Sequence, residues 1–198
     1  MLSVLVAGSL LGTAPLSTNP AMWQRLPDHV RLEGSSPTPN IRVELTVDTN
    51  GDPIHCNVLQ SDEAKGFDNR FCIVPMRHAH FRPARDEGGQ TVVGVFSTDF
   101  RYRTDRGGHG PRWSDYTLTV SALPSTRQFG TIARVVTDDR GRVETCAIDQ
   151  SSGDARLDDL ACRYTRSSLM LAAPFDRDGR PVRAMRLVSI GFSTAGLK

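Results

Sequence analysis

The side chains best suited to chemistry cluster in one stretch: His55-Cys56, Cys72, His78 and His80. Two thiolates and two imidazoles would make a zinc ligand set, because that ion takes sulfur and nitrogen in a tetrahedral array. The chain itself offers a test. Shifting the numbering by 90 sets residues 141–162 (GRVETCAIDQSSGDARLDDLAC) on residues 51–72 (GDPIHCNVLQSDEAKGFDNRFC) without a gap. Cys56 and Cys72 then fall on Cys146 and Cys162, whereas His55, His78 and His80 fall on Thr145, Ser168 and Met170. Cysteines that persist where the histidines do not behave as disulfide partners rather than as ligands. The bonds expected are Cys56–Cys72 and Cys146–Cys162, with four reduced, buried thiols as the alternative. No residue is assigned as catalytic, cofactor-binding or metal-ligating.

The other candidates carry less. Asp48-x-Asn50-Gly51-Asp52 opens like a calcium loop but lacks the later bidentate acid of that motif, and the second copy has Arg142 at the position of Asp52. A polar hairpin turn is the better reading, for this stretch and for Asp176-Arg177-Asp178-Gly179. Nucleophilic catalysis needs Ser or Cys beside a positioned base. All five histidines (29, 55, 78, 80 and 109) lie before the second copy, and no G-x-S-x-G occurs. Two carboxylates could converge for glycoside chemistry, but nothing in the sequence singles out a pair.

The repeat sets the domain organisation. Its register runs from Trp23/Trp113 to Gly89/Gly179 and Val92/Val182, with 13 identities over the 80 positions of 23–102 against 113–192. The division expected is a signal-like segment and linker over 1–22, a first repeat over 23–102, a linker over 103–112 and a second repeat over 113–198. Units of about 80 residues are near the lower limit for a self-sufficient core and often lean on disulfides. Hydrophobic content of 38% and charged content of 23% fit a globular chain. The 24 basic and 22 acidic residues are scattered, so the concentrated basic face that nucleic acid requires is not expected.

Residues 1–14, MLSVLVAGSLLGTA, contain an apolar run of about ten, short of the roughly 20 that span a bilayer. The run looks like the core of a secretory signal, although no Lys or Arg precedes it and a cut after Ala14 would leave Pro15 first. With the paired cysteines, which persist in oxidising compartments, it points to export. In chain order, 41–47 alternates as a half-buried strand, Asn50-Gly51 turns it, and 54–60 alternates again. Residues 67–80 read as a helix that Pro75 should break or kink, and 91–102 reads as a long strand. The second copy repeats this with strands near 131–137, 143–150 and 181–193 and a helix near 157–169. Trp23 and Leu26 read as an anchor on the core. The fold class expected is α+β: two repeated small domains, each a mostly antiparallel β-β-α-β sheet with one helix packed on a face.

With those elements placed, the chain resembles a tandem of TonB C-terminal domains. In copy one the resemblance rests on Val43-Glu44-Leu45, Gly51, Val58-Leu59-Gln60-Ser61, Phe67-Asp68, Phe81-Arg82-Pro83-Ala84 and Gly89-Gln90-Thr91-Val92. In copy two it rests on Gly141, Gln150-Ser151-Ser152-Gly153, Leu157-Asp158 and Gly179-Arg180-Pro181-Val182. A transducer's membrane anchor and Pro-rich spacer are not matched, so the energy-coupling role is not carried over. The resemblance implies a periplasmic, non-catalytic binding module for a protein or peptide partner in the cell envelope. Strand addition at the last strand of each copy is one implied mode; otherwise these edges are capped or the two copies pair with each other. Two alternatives stand beside it: an envelope metalloprotein or hydrolase using the histidines of copy one, and a purely structural tandem.

Overall fold

The structure, a computed structural model, describes residues 12–19, 40–61, 68–101, 114–123 and 130–194. Trp23, Leu26, His29, Phe67, His109, Trp113, residues 1–11 and the connector 103–112 lie outside that set. The elements in order are β1 (Leu16–Ser17), β2 (Asn40–Val47), β3 (Pro53–Ser61), α1 (Asp68–His78), β4 (Phe81–Arg82), β5 (Ala84–Arg85) and β6 (Thr91–Arg101). There follow β7 (Tyr116–Val120), β8 (Gly130–Thr137), β9 (Val143–Gln150), α2 (Ala155–Ser168) and β10 (Ala184–Thr194). The architecture is mixed α+β, dominated by one eight-stranded sheet whose main path runs β3-β2-β6-β10-β8-β9.

Strand pairing recurs at the 90-residue offset. Val43↔Val58, Leu45↔Cys56 and Val47↔Pro53 in the first half become Ala133↔Ile148, Val135↔Cys146 and Thr137↔Val143 in the second, with register shifts at the same two places. Each hairpin turns on an aspartate followed three residues later by glycine. Asp48 Oδ1 accepts the amides of Asn50 and Asp52, and Asp138 Oδ1 accepts those of Arg140 and Arg142. Gly51 (φ 92°) and Gly141 (φ 82°) need the left-handed region, which costs glycine little. Their backbones also close on the segment after each helix, where Phe81 donates to Gly51 O and Leu171 to Gly141 O. A side chain at either glycine would strike that segment's carbonyl.

Each helix covers a separate core. Phe71 of α1 is buried against Val43, Leu45 and Val47, while Leu157 and Ala161 of α2 meet Ala133, Val135, Val188 and Ile190. Cys56 is bonded to Cys72 and Cys146 to Cys162, each pair tying an outer strand to its helix with Cα atoms 5.6 Å apart. Pro75 does not end α1, which runs on to His78. The missing N–H costs one bond, but the ring is buried and Ala79 still donates to Pro75 O. In α2 the equivalent Thr165 instead bonds back to Ala161 O at 2.6 Å.

The halves meet through β6 and β10, which pair in parallel only over Val93–Val95 and Ala184–Arg186. Residues directly opposite on paired strands share a face. Gly94 lies opposite Val47, on the α1 face, and also opposite Met185, which is on the side of β10 away from α2. The two helices therefore pack on opposite faces of the continuous sheet. Beyond Arg186 the strands part. The outer side of β10 passes to β7, parallel over Ile190–Thr194, and the transition is held by Asp115, which donates to Ser189 O and accepts from its amide. Of the two outcomes expected for the last strands, the second holds along β10: its edge is taken, first by the other half and then by β7.

Residues 12–19, within the segment read from sequence as leader and linker, form a strap. β1 pairs antiparallel with β4, Thr13 and Arg85 exchange two backbone bonds of 2.8 Å, and Thr18 donates to His80 O. Pro15 is buried over Gly94, where an added Cβ would lie 2.7 Å from its ring.

Two outcomes follow. Replacing Cys146 and Cys162 together by Ser should cost about 3 kcal/mol, a Tm fall of roughly 6–12 °C for a chain of this size, measurable by calorimetry. Gly94→Leu should displace the strap, so that hydrogen exchange accelerates at the amides of Thr13, Thr18 and Arg85 while those of β8 keep their protection.

Candidate functional site

The parting of β6 and β10 leaves a cleft of about 320 Å³ on the α2 face. Its floor comes from the uncovered face of the first half, Arg42, Glu44 and Ser97, and its far wall from residues 170–172, Arg186 and Val188. Leu59, Met170 and Leu187 stand exposed at the rim. Alternation explains the floor. Residues 41, 43, 45 and 47 of β2 face the α1 core, so 42 and 44 must point to the other side.

Two charge pairs cross from one half to the other inside this cleft. Arg186, only 6% exposed, reaches Glu44 Oε2 at 3.2 Å through Nη1 and donates to Ala172 O at 2.6 Å through Nη2. Arg42 lies 3.0 Å from Asp115 Oδ1 and 3.7 Å from Asp99 Oδ1. Burial pushes the Glu44 carboxyl above the usual range against the pull of Arg186, with Asp115 adding to the rise and Arg42 opposing it. Burial raises Asp115 too, opposed by the Ser189 amide and Arg42 and reinforced by Asp99. Tyr116 is raised by burial and then by Asp115. Buried pairs of this kind add little net stability, but losing one member strands the other charge.

A third crossing lies at the hairpin turns. Arg177 grips Asp48 Oδ2 through Nε at 3.0 Å and Nη2 at 2.8 Å, and reaches Asp52 Oδ2 at 3.2 Å. Beside it, His55 Nε2–H donates to the Asp176 carbonyl at 3.1 Å. Burial alone would raise Asp48, but the Arg177 hydrogen bonds, the amides of Asp52 and Asn50 and the charge of Arg177 outweigh it and lower the carboxyl below its usual value. The stretches weighed as calcium loops are thus turns whose acids are engaged by backbone amides and arginine.

The histidines of copy one do not meet at a site. His55 faces the second half, and His78 and His80 stand exposed at the end of α1, where their backbones hold Asn19 of the strap. The cysteines are spent in disulfides. Among the described residues, no group of three or more His, Cys, Asp or Glu is placed to hold a metal ion. What the structure does bring together, and the sequence reading missed, is Arg42, Glu44, Asp115 and Arg186. The one sequence signal was the charged Arg42-x-Glu44 face of β2, which reads as a solvated surface until the second half is placed over it. Comparison with family models, with curated proteins and with solved structures finds no match. No helix among the described residues is long and apolar enough to cross a membrane, and the two disulfides fit an oxidising compartment.

The sign of the pH response follows from Asp48. Its depressed pKa gives stability that is present above the ordinary aspartate value of about 3.9 and is lost as pH falls through the lower folded value. Glu44 and Asp115, raised by burial, act oppositely: their contribution is present below ordinary carboxylate values and is lost as pH rises through the raised ones. Asp48→Ala should cost about 2 kcal/mol at pH 7, the worth of hydrogen bonds to a charged group. Urea denaturation should show that deficit shrinking toward pH 2; a deficit independent of pH would mean that the charge of Asp48 is not what stabilises the turn.

Proposed function

We propose that the protein is a non-catalytic binding module of the periplasm, built from two TonB C-terminal-like repeats, that engages a protein or peptide partner in the cell envelope. The observation that carries this reading is the cleft at the seam. It presents exposed Leu59, Met170 and Leu187 beside its polar floor, and apolar side chains exposed together mark interaction surfaces. Its two carboxylates are each engaged by an arginine, Glu44 by Arg186 and Asp115 by Arg42. That suits a fixed polar floor better than a group that must exchange protons. The recurrence of strand register at the repeat offset, with one disulfide in each half, supports the tandem TonB-like reading. The cleft replaces the edge of β10 as the place of binding, since that edge is taken by β6 over Ala184–Arg186 and by β7 over Ile190–Thr194.

Site-specific photo-cross-linking tests the reading. A benzoylphenylalanine in place of Met170, expressed in the native envelope, should give a discrete cross-linked partner, and the same label at Asp159 on the exposed side of α2 should not. Leu187→Asp should reduce the yield. Equal, diffuse labelling from both positions would sink the assignment of this cleft.

A further inference from the structure

The cleft has a twin on the opposite face of the sheet, and the twin is occupied. There a hollow of about 160 Å³ shares Arg42, Ser97, Asp115 and Leu187 with the cleft, and the repeat offset sets Ile132, Leu187 and Phe96 of its lining on Arg42, Ser97 and Arg186 of the larger cleft. Ala14 and Pro15 of the strap enter it. The strap runs antiparallel along Phe81 and Arg82, with further backbone bonds to His80 and Arg85. The same offset sets His80, Arg82 and Arg85 on Met170, Ala172 and Phe175, all three of them exposed. Among the described residues, this second stretch has only the isolated bridges of Met170 to Arg142 and Phe175 to Pro181, and no strand lies along it as the strap does along its twin.

Two differences between the twins define what the larger one would take. Phe96 in the occupied cleft suits a neutral, small-residue strap; its counterpart is Arg186. Arg186 Nε has no hydrogen-bond partner among the described residues, and its Nη2 is held by Ala172 O, the counterpart of the Arg82 backbone that lies opposite Leu16. An incoming strand amide that takes Ala172 O frees Nη2, and Nε with Nη2 then forms the two-pronged edge that binds carboxylates. The second difference is Ala184 in place of Gly94. Its methyl group occupies the space that Pro15 fills in the twin.

We infer that the larger cleft binds an extended peptide segment along residues 170–175, in the manner of the strap, with an acidic side chain of that segment on Arg186 and without proline at the position matching Pro15. The inference rests on the cleft being the binding site proposed above. It makes the first half's own strap the template for a partner of the second half.

Calorimetric titration of the full chain with three octapeptides tests it: GTAELSTN, GTAQLSTN and the strap sequence GTAPLSTN. The glutamate peptide should bind one to one, about tenfold tighter than its glutamine counterpart, as for a charge-assisted hydrogen-bond pair, and tighter than the proline peptide. Arg186→Lys should erase the preference for glutamate over glutamine. Met170→Asp, an exposed change that spares the core, should weaken the glutamate peptide, and Arg163→Ala on the outer side of α2 should leave it unchanged. Equal binding of the glutamate and glutamine peptides overturns the role of Arg186, and no binding by any peptide overturns the strand-like mode. A cross-link from position 170 obtained alongside either negative result would leave the proposed function standing and reject only this description of its ligand.

Discussion

Three residues of β6 pairing in parallel with three of β10 set the plan of the molecule. Parallel pairing of equivalent strands turns one half over relative to the other, which is why α1 and α2 fall on opposite faces. It also leaves half of each sheet face without a helix. Because the pairing is so short, the strands part almost at once, and the gap opens a hollow on each face of the sheet. The charge pairs, the strap and the cleft all belong to this seam. Had the strands stayed paired along their length, β10 would have met Ser97 and Asp99 of β6, and neither hollow would exist.

The elements within each half were legible because each is specified locally. Alternation marked the hairpin strands, an aspartate and a glycine marked each turn, and the cysteine spacing marked the strand-to-helix staple. The limits of β9, Val143–Gln150, fall where the sequence pattern puts them. The misses have a common cause. Helix α1 continued past Pro75 because burial of the ring and the Cys56–Cys72 bond hold what local propensity would release. β7, the strap and the pairing of the halves depend on contacts between residues far apart in the chain, and no periodicity encodes those.

The seam was hardest to read for a further reason: the repeat hides it. Alignment of the two copies draws attention to what they share, namely Asp48/Asp138, Gly51/Gly141 and the cysteines, which build each half; of these, Asp48 also reaches across, to Arg177. The cleft is lined by what they do not share. Arg42 aligns with Ile132 and Phe96 with Arg186, so that one half supplies a charge where the other supplies an apolar surface, and Glu44 aligns with a charge of opposite sign, Arg134. Along β2, Arg42 and Glu44 occupy the face that alternation assigns to water. Only the placement of Asp115 and Arg186 over them turns two surface residues into half-buried ones.

The strap also constrains the order in which the chain can be completed. Gly12 approaches not only Arg85 and Asp86 but also Met185, a residue of the last strand. The hairpins, turns and staples of each half involve neighbours a few tens of residues apart and close at small entropic cost. Contacts of long sequence separation close late and slowly. The first half can gather its helix and most of its strap as soon as it exists, yet the seat of Gly12 is unfinished until β10 arrives. During synthesis, the beginning of the described chain must therefore wait for its end.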